Sequence, residues 1–257
     1  MKAFLRRFPR LYVAAQRLYY ALMYFGETRL FGSRLYVWMW RWRYRRPMSQ
    51  EEITRSIAHP HRSLVTAAVA SFQPLTSVLE VGCGTGVNLA LLARRFPAAA
   101  LDGIDVSAQA IDTGRRWLRE QALTTVTLRR GAAADLSHYP DQSYDVTLSD
   151  AALMYLGPDA LVQTLEHFAR ISRKGIVLNE WSLPADDPRL HLWYDLHWVH
   201  NYSVLMRRIL PQADITASAI PPEIFGGTGW PEYGALIVVD VMGVRAGVQK
   251  SMLAQHS

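Results

Sequence analysis

One short segment combines an acidic residue with three glycines at alternate positions, directly after an apolar run. The segment consists of Glu80, Val81, Gly82, Cys83, Gly84, Thr85 and Gly86. Because glycine has no Cβ, the backbone there can turn sharply and approach a ligand closely. A nicotinamide-dinucleotide loop of the Gly-x-Gly-x-x-Gly type would need glycine at position 87, where this chain has valine. The segment therefore predicts a ligand-binding turn that differs from the dinucleotide loop.

A second carboxylate, Asp105, follows the glycines by about twenty residues and ends another apolar stretch, 99–105. A carboxylate at the end of a neighbouring strand can accept hydrogen bonds from both ribose hydroxyls of a nucleoside. Each such charge-assisted bond contributes about 1.5–3 kcal/mol. The spacing therefore favours a nucleoside held by the glycine turn and Asp105 together. A helix N-cap is the alternative role for Asp105.

The chain around these residues alternates between strand and helix patterns. Apolar runs predict strands at 77–81, 99–104, 126–129, 144–148 and 175–179, and helices at 87–96, 108–121 and 160–172. A last strand pair is expected at 214–220 and 235–241. Strands that alternate with helices indicate βαβ units and a parallel sheet.

These segments together resemble the class I S-adenosylmethionine (SAM)-dependent methyltransferases. The glycine turn with its preceding acid resembles motif I of that family, and 107–111 resembles the start of the helix after the second strand. The stretch 130–136 resembles the segment of the family that passes the adenine, although Ala132 replaces the usual aspartate, and 140–146 resembles the segment that leads into the fourth strand. The resemblance covers roughly residues 61–182 and returns near 235–241. It implies an α/β, Rossmann-like fold with a mostly parallel seven-stranded sheet, helices on both faces and an N-terminal helical extension.

The resemblance also implies S-adenosyl-L-methionine as the cofactor and a set of residues that hold it. These are Glu80, Gly82, Cys83, Gly84, Gly86, Asp105, Val106, Ala133, Asp135 and Ser149. In this interpretation the glycine turn holds the methionine end and Asp105 holds the ribose. Cys83, the single cysteine, is expected to be a small filler rather than a nucleophile. For Asp135 a surface or capping role is the alternative.

The methyl acceptor is expected beside the ends of the fourth and fifth strands. A general base is needed where an acceptor hydroxyl or ammonium must lose a proton. The candidate residues for this chemistry are Asp150, Tyr155, Glu180, His191, Tyr194 and His197. A metal site formed by Asp150, Asn179 and Glu180 is a weaker alternative, and no metal is predicted.

The segment 182–213 is expected to be an insertion that shapes the acceptor pocket. If residues 191–202 form a helix, then His191, Tyr194, Trp198 and Tyr202 share one face. An aromatic, imidazole-bearing lid would suit an apolar or aromatic acceptor. A packed helix whose histidines are satisfied by hydrogen bonds is the alternative.

The basic character of the chain belongs to its N-terminal part. Residues 1–46 contain eleven Lys and Arg and one acid, Glu27, whereas the whole chain has a net charge of +6. Arginines mixed with aromatic residues suit an anionic membrane surface. A lid on the catalytic domain, with Arg head groups reaching water, is the alternative interpretation, and nucleic acid is disfavoured. The longest uncharged run, 18–26, is too short to cross a bilayer.

The sequence thus predicts a SAM-dependent methyltransferase that methylates oxygen or nitrogen of a small acceptor, with an apolar or lipid-like acceptor as one option. The alternatives are a SAM-fold protein with different transfer chemistry and a non-catalytic, membrane-associated SAM-binding protein. The expected parts are an extension at 1–60, a SAM-binding domain at 61–243 and a tail at 244–257. A cytoplasmic location is expected, with the inner face of the membrane as an alternative. No oligomeric state is predicted.

Overall fold

A computed structural model describes Leu18 and residues 21–31, 46–225 and 229–242. The tail predicted at 244–257 and most of the basic segment 1–46 lie outside the described residues. The strands are β1 Ser77–Val81, β2 Ala100–Asp105, β3 Val126–Arg130, β4 Tyr144–Asp150, β5 Ser172–Trp181, β6 His191–Tyr194, β7 His197–His200, β8 Asp214–Ala219 and β9 Gly234–Asp240.

Seven of these strands form one sheet in the order β3-β2-β1-β4-β5-β9-β8. Neighbours from β3 to β5 are parallel, and β9 is antiparallel to both β5 and β8. The mostly parallel seven-stranded sheet is therefore confirmed. Because β1, β2, β4 and β5 run in one direction, their carboxyl ends meet at the same edge, where ligands of open α/β sheets bind.

Helices cover both faces of the sheet. They are α1 Gln50–Ile57, α2 His61–Ala70, α3 Val87–Arg95, α4 Ala108–Glu120, α5 Pro158–Ile171, α6 Tyr202–Ile209 and the short α7 Trp230–Tyr233. Alternate residues of β1 show how the layers form: Val78 packs among α1 to α4, whereas Leu79 packs among α5 and α6. The start of α1 has a capping box, in which Ser49 and Glu52 each bond to the other's backbone.

The conditional helix over 191–202 is wrong, because residues 191–200 form the hairpin β6–β7. Its turn residues Asp195 and Leu196 both have positive φ, 44° and 65°. Two-residue hairpin turns with positive φ at both positions favour Asn-Gly or Asp-Gly. This chain carries leucine in place of that glycine, so its sequence shows only half of the usual signal.

The hairpin separates residues that a helix would have grouped. Direct partners in an antiparallel pair share a face, and alternate residues lie on opposite faces. Trp193 pairs with Trp198, and Tyr194 pairs with His197. The predicted shared face of His191, Tyr194 and Trp198 therefore does not exist, since Tyr194 faces the other side.

The N-terminal part described is helical at Leu18 and at residues 21–25, and continues as a π-helical turn, Gly26–Phe31. Tyr24 contacts the indole rings of Trp193 and Trp198 at centroid distances of 5.5 and 6.2 Å. The segment therefore packs on one face of the hairpin. Within the described ranges, no helix has the length and apolarity that crossing a bilayer requires.

At the opposite edge of the sheet, a buried carboxylate joins β4, β5 and the chain before β1. Asp145 accepts hydrogen bonds from the backbone N–H of Thr76 at 2.7 Å and from Arg173 Nε at 3.0 Å, and Lys174 Nζ lies 3.4 Å away. Burial alone would raise the pKa of Asp145. The hydrogen bonds from Thr76 and Arg173 and the charge of Lys174 outweigh it, so this pKa lies below its ordinary value.

We expect Asp145→Asn to lower the free energy of unfolding by about 2–4 kcal/mol at neutral pH, because Arg173 and Lys174 then lose their buried negative partner. Since the folded-state pKa of Asp145 is depressed, the contribution is present above the unfolded pKa of about 3.9 and disappears as pH falls through the folded value. Urea unfolding of the wild type and of Asp145→Asn across this pH range measures the difference between their free energies of unfolding, which should shrink as the pH falls. The matched control is Asp141→Asn, which removes an exposed ion pair with Arg170 and should cost less than about 1 kcal/mol. Equal losses in the two variants would contradict the assignment.

Candidate active site

The glycine turn joins β1 to α3 through three left-handed residues, Gly82, Gly84 and Gly86, with φ of 81°, 54° and 78°. A Cβ on Gly82 would lie 2.2 Å from the Cβ of Ala152, so this position has no space for a larger residue. A Cβ on Gly84 would meet no described atom within 4 Å. The backbone at Gly84 therefore borders open space, as a turn that contacts a ligand requires.

Asp105 lies at the carboxyl end of β2, directly beside this turn. Its Oδ2 accepts the backbone N–H of Gly84 at 2.9 Å and its Oδ1 accepts that of Ser107 at 2.8 Å. Burial raises the pKa of Asp105, and the two backbone hydrogen bonds oppose that rise. A helix N-cap role belongs instead to Ser107, whose hydroxyl accepts the N–H of Ala110. Asp105 therefore holds the turn and retains oxygen lone pairs for two further donors.

Glu80 is buried beneath the turn with half of its carboxylate unsatisfied. Its Oε1 accepts Asn88 Nδ2 at 2.7 Å, whereas Oε2 has no hydrogen-bond partner among the described residues. Burial raises the pKa of Glu80 to about 8. A buried polar atom without a partner is costly, so this carboxylate is suited to a ligand that brings a donor or a positive charge.

Asp150, at the end of β4, lies within a network that the sequence does not reveal. Its Oδ2 accepts Arg62 at 2.5 Å and Asn88 Nδ2 at 2.9 Å, and Asn179 Nδ2 donates to Oδ1 at 2.6 Å. Burial raises the pKa of Asp150, but hydrogen bonding to His61 and the charge of Arg62 outweigh burial and hold it well below its ordinary value.

Asp150 and Asn179 thus lie together, as a metal site at these residues would require. The Asp150 carboxylate, however, is bonded to the Arg62 guanidinium at the place where a metal ion would bind. Arg62 and Asn88 are the site residues that sequence reasoning missed. Asn88 joins the network to Glu80, and Arg62 donates to both Asp150 and Asn88. Arg62 precedes Asp150 by 88 positions, so no local pattern signals the pair.

Glu180 is fully buried and bonds to the backbone that follows β4. Its Oε1 accepts the N–H groups of Ala152 and Leu153, both at 3.0 Å, and Oε2 accepts that of Met154 at 3.2 Å. Ser149 donates its hydroxyl to the same carboxylate at 2.8 Å. Burial raises the pKa of Glu180 to about 7, and these donors oppose the rise. The geometry gives Glu180 a positioning role, since it anchors the short 3₁₀ turn Leu153–Tyr155.

Above this turn aromatic rings pack around Trp181, the last residue of β5, and form a cluster that we call the aromatic chamber. The rings of His197, Tyr194 and Trp230 lie 4.6, 6.1 and 6.3 Å from the Trp181 ring. Trp181 is buried, and its Nε1 has no hydrogen-bond partner among the described residues. The cluster therefore combines mainly aromatic surface with an indole N–H that has no acceptor among the described residues.

Tyr155 and His197 meet at the edge of the chamber. His197 Nε2 lies 3.3 Å from Tyr155 Oη, and His197 Nδ1 lies 2.5 Å from the carbonyl oxygen of Asp195. A carbonyl only accepts, so Nδ1 carries the proton and the neutral ring presents Nε2 as an acceptor. Tyr155 then donates its hydroxyl proton to Nε2. The pair has the geometry of a proton relay.

The remaining predicted residues divide between the site and its surroundings. Val106 follows Asp105 and is half-buried, and Cys83 is buried. The Ala133 carbonyl accepts the Thr164 hydroxyl at 3.1 Å, and the Asp135 side chain is exposed and 4.0 Å from His138. Ser149 pairs with Val81 at the end of β1, directly before the glycine turn, and its hydroxyl bonds to Glu180.

His191 also lies away from the chamber. Its Nδ1 is 2.8 Å from Nδ1 of His200, and the two residues are paired partners in the hairpin. This places His191 on the hairpin face of Trp193 and Trp198, opposite Tyr194 and His197. Of the two histidines predicted for catalysis in this segment, only His197 faces the site.

The sequence of the central region matches a known family and several known proteins. Residues 78–175 match a family described as the methyltransferase domain. Trans-aconitate 2-methyltransferase of Escherichia coli O1:K1 is 27% identical over 135 residues, which are 52% of this chain and 50% of that protein. Malonyl-[acyl-carrier protein] O-methyltransferase of Priestia megaterium is 27% identical over 104 residues, 40% of this chain and 35% of that protein. The chain thus spans half or less of the curated relatives it matches.

Solved structures share the fold over a larger part of the chain. Magnesium protoporphyrin IX methyltransferase from Synechocystis PCC 6803, solved with bound SAM, superposes with a TM-score of 0.53 and 16% identity. The match covers 86% of this chain and 95% of that one. The motifs, the sheet order and the family match agree: residues 78–175 match the methyltransferase domain, and the chain has the Rossmann-like fold of solved methyltransferases.

Proposed function

We propose that this protein transfers a methyl group from SAM to an oxygen or nitrogen atom of a small acceptor that is apolar or aromatic in part. The observation that carries the proposal is the single edge of the sheet at which the glycine turn, Asp105 and the unsatisfied Glu80 carboxylate meet the aromatic chamber around Trp181. One half of this edge suits a charged nucleoside and the other half suits an apolar molecule.

The cofactor half follows from the donors and acceptors present. Asp105 would accept the ribose hydroxyls, and the backbone at Gly84 would allow the ligand to approach closely. The amino-acid end of SAM is a zwitterion and needs partners of both signs. Glu80 supplies a carboxylate for the ammonium, and Arg62 supplies a guanidinium for the carboxylate. When bound, SAM supplies an electrophilic methyl group on a sulfonium.

The acceptor half requires positioning and a place for a proton. Trp181, Tyr194 and His197 would enclose the acceptor and exclude water, and orientation of this kind supplies much of the rate of a displacement. Where the acceptor carries a proton, Tyr155 would receive it on Oη as its own proton moves to His197 Nε2. The proton ends on His197 and the acceptor atom is left with the lone pair that attacks the methyl group.

The named relatives act on different acceptors, so the acceptor class of this chain stays a proposal. Transfer of tritiated methyl from SAM to extracted small molecules tests the function directly, with acid-stable label in an organic-soluble product as the expected result. Tight SAM binding without label in any product would favour the alternatives, which are another transfer chemistry on this fold or a non-catalytic SAM-binding protein.

We expect Asp105→Ala to weaken SAM binding by roughly ten- to a hundredfold, because one or two charge-assisted hydrogen bonds are lost. Titration calorimetry of the folded variant measures this. The matched control is Asp102→Ala, three residues earlier on β2, whose carboxylate bonds Tyr144 at 2.8 Å and Arg129 at 3.1 Å. Unchanged affinity in the Asp105 variant would remove its ribose role.

The raised pKa of Glu80 makes SAM binding pH-dependent in a definite direction. With a pKa of about 8, Glu80 is mostly protonated in the free protein near neutral pH. An ammonium placed against it favours the ionised form, so binding should release close to one proton. The release should fade as pH rises above the free-state pKa.

Calorimetry at neutral pH in buffers of different ionisation enthalpy counts these protons. The same titration of Glu80→Gln should show no release, since glutamine does not titrate. A variant that still releases the full proton would assign it to another group.

We expect Tyr155→Phe to lower kcat by roughly 10²-fold or more for an acceptor that must lose a proton, with little change in SAM affinity. The control Tyr139→Phe alters a tyrosine whose ring packs beside Tyr144, away from the chamber. If kcat were unchanged in Tyr155→Phe, positioning alone would suffice and the relay would be wrong.

A further inference from the structure

The N-terminal helical segment presents an apolar face to solvent. Leu18, Leu22 and Phe25 are 61%, 60% and 52% exposed. They lie at helical spacing i, i+4 and i+7, so at about 100° per residue their side chains fall within an arc of about 60°. We call these three residues the N-terminal apolar face. Large apolar side chains that cluster in this way mark an interaction surface.

The opposite side of the same segment is the side that contacts the protein. Tyr24, itself 45% exposed, packs against Trp193 and Trp198 of the hairpin, and at helical spacing it lies about 100° from the nearer edge of the arc of the apolar face. Gly26 is buried and Met23 is half-buried. The segment is therefore attached to the protein by one side, and the apolar face points away from it.

The charge of the N-terminal segment indicates what kind of partner the N-terminal apolar face binds. Residues 1–46 carry eleven basic residues against one acid, whereas the rest of the chain carries seventeen Lys and Arg against twenty-one Asp and Glu. Arg29 lies in the described segment itself. An apolar helical face within a strongly basic segment is the combination that binds the interface of an anionic bilayer. Single-stranded nucleic acid would favour aromatic stacking, and two of the three exposed residues are leucines.

We infer that the N-terminal apolar face binds an anionic lipid bilayer, to which the net positive charge of residues 1–46 attracts it. The hairpin β6–β7 then lies between the bilayer and the chamber. Trp193 and Trp198 face the attached segment, and Tyr194 and His197 face Trp181. The inference does not rest on the proposed function, because the surface lies outside the site.

The test is flotation of the full chain with two kinds of vesicle, one of phosphatidylcholine alone and one with about a third phosphatidylglycerol. The variant is Leu22→Asp combined with Phe25→Asp. The matched control is Met242→Asp, another exposed apolar residue (54%) that follows β9 beside Lys174, at the opposite edge of the sheet. Thermal unfolding and titration with S-adenosylhomocysteine, run in parallel, check that each variant folds.

The expected result is binding to the anionic vesicles at least about tenfold stronger than to the neutral ones, weakened by salt. The double variant should lose about tenfold or more, and the control should not change. Absence of binding to anionic vesicles would overturn the inference, and so would binding that the double variant leaves intact. Binding of a single-stranded oligonucleotide that exceeds vesicle binding would also overturn it. These outcomes do not depend on methyl transfer, so the proposed function can fail separately.

Discussion

The parallel register of β1, β2 and β4 brings three carboxylates to one edge of the sheet, and the rest of the site depends on how their charge is balanced. Glu80, Asp105 and Asp150 lie at or near the ends of these strands. Among the described residues of the network, Arg62 is the permanent cation and it pairs with Asp150. The other two carboxylates are left with neutral donors, and burial raises their pKa values.

A site with three buried carboxylates and one permanent cation favours a cationic ligand over a neutral one. An ammonium or sulfonium group relieves the cost of the buried carboxylates, because opposite charge stabilises their ionised form. Loss of positive charge from the ligand removes part of that stabilisation. Under the proposed function, this excess of buried carboxylates would favour SAM over its neutral, demethylated product and would assist release of that product after transfer.

The cofactor half was predictable because its information is local. The glycine turn, the preceding Glu80 and the following Asp105 lie within a stretch of 26 residues, and alternation of strands and helices places them at one edge. The predicted strands and helices of this region agree with the structure to within about three residues, the usual uncertainty of element ends. Composition and spacing are sufficient to predict a contact that joins elements close together in the sequence.

The acceptor half was less predictable because its contacts are distant in sequence or depend on backbone geometry. Arg62 reaches Asp150 across the chain, and no periodicity reports such a pair. Glu180 has the residue type of a general base, yet four donors around it make it an anchor. The hairpin turn at Asp195 and Leu196 lacks the glycine that would have indicated, in the sequence, a strand pair rather than a helix.

This difference also explains what the match to the methyltransferase domain leaves open. The matched region, residues 78–175, contains the glycine turn, Asp105, Asp150 and Tyr155. Trp181, Tyr194 and His197 follow it, and Arg62 precedes it. The residues of the proposed cofactor site other than Arg62 therefore lie inside the match, whereas the groups that would enclose the acceptor lie outside. Since specificity is a difference in binding energy between competing ligands, the proposed function would leave it to those flanking segments, and to the hairpin above all, to select the acceptor.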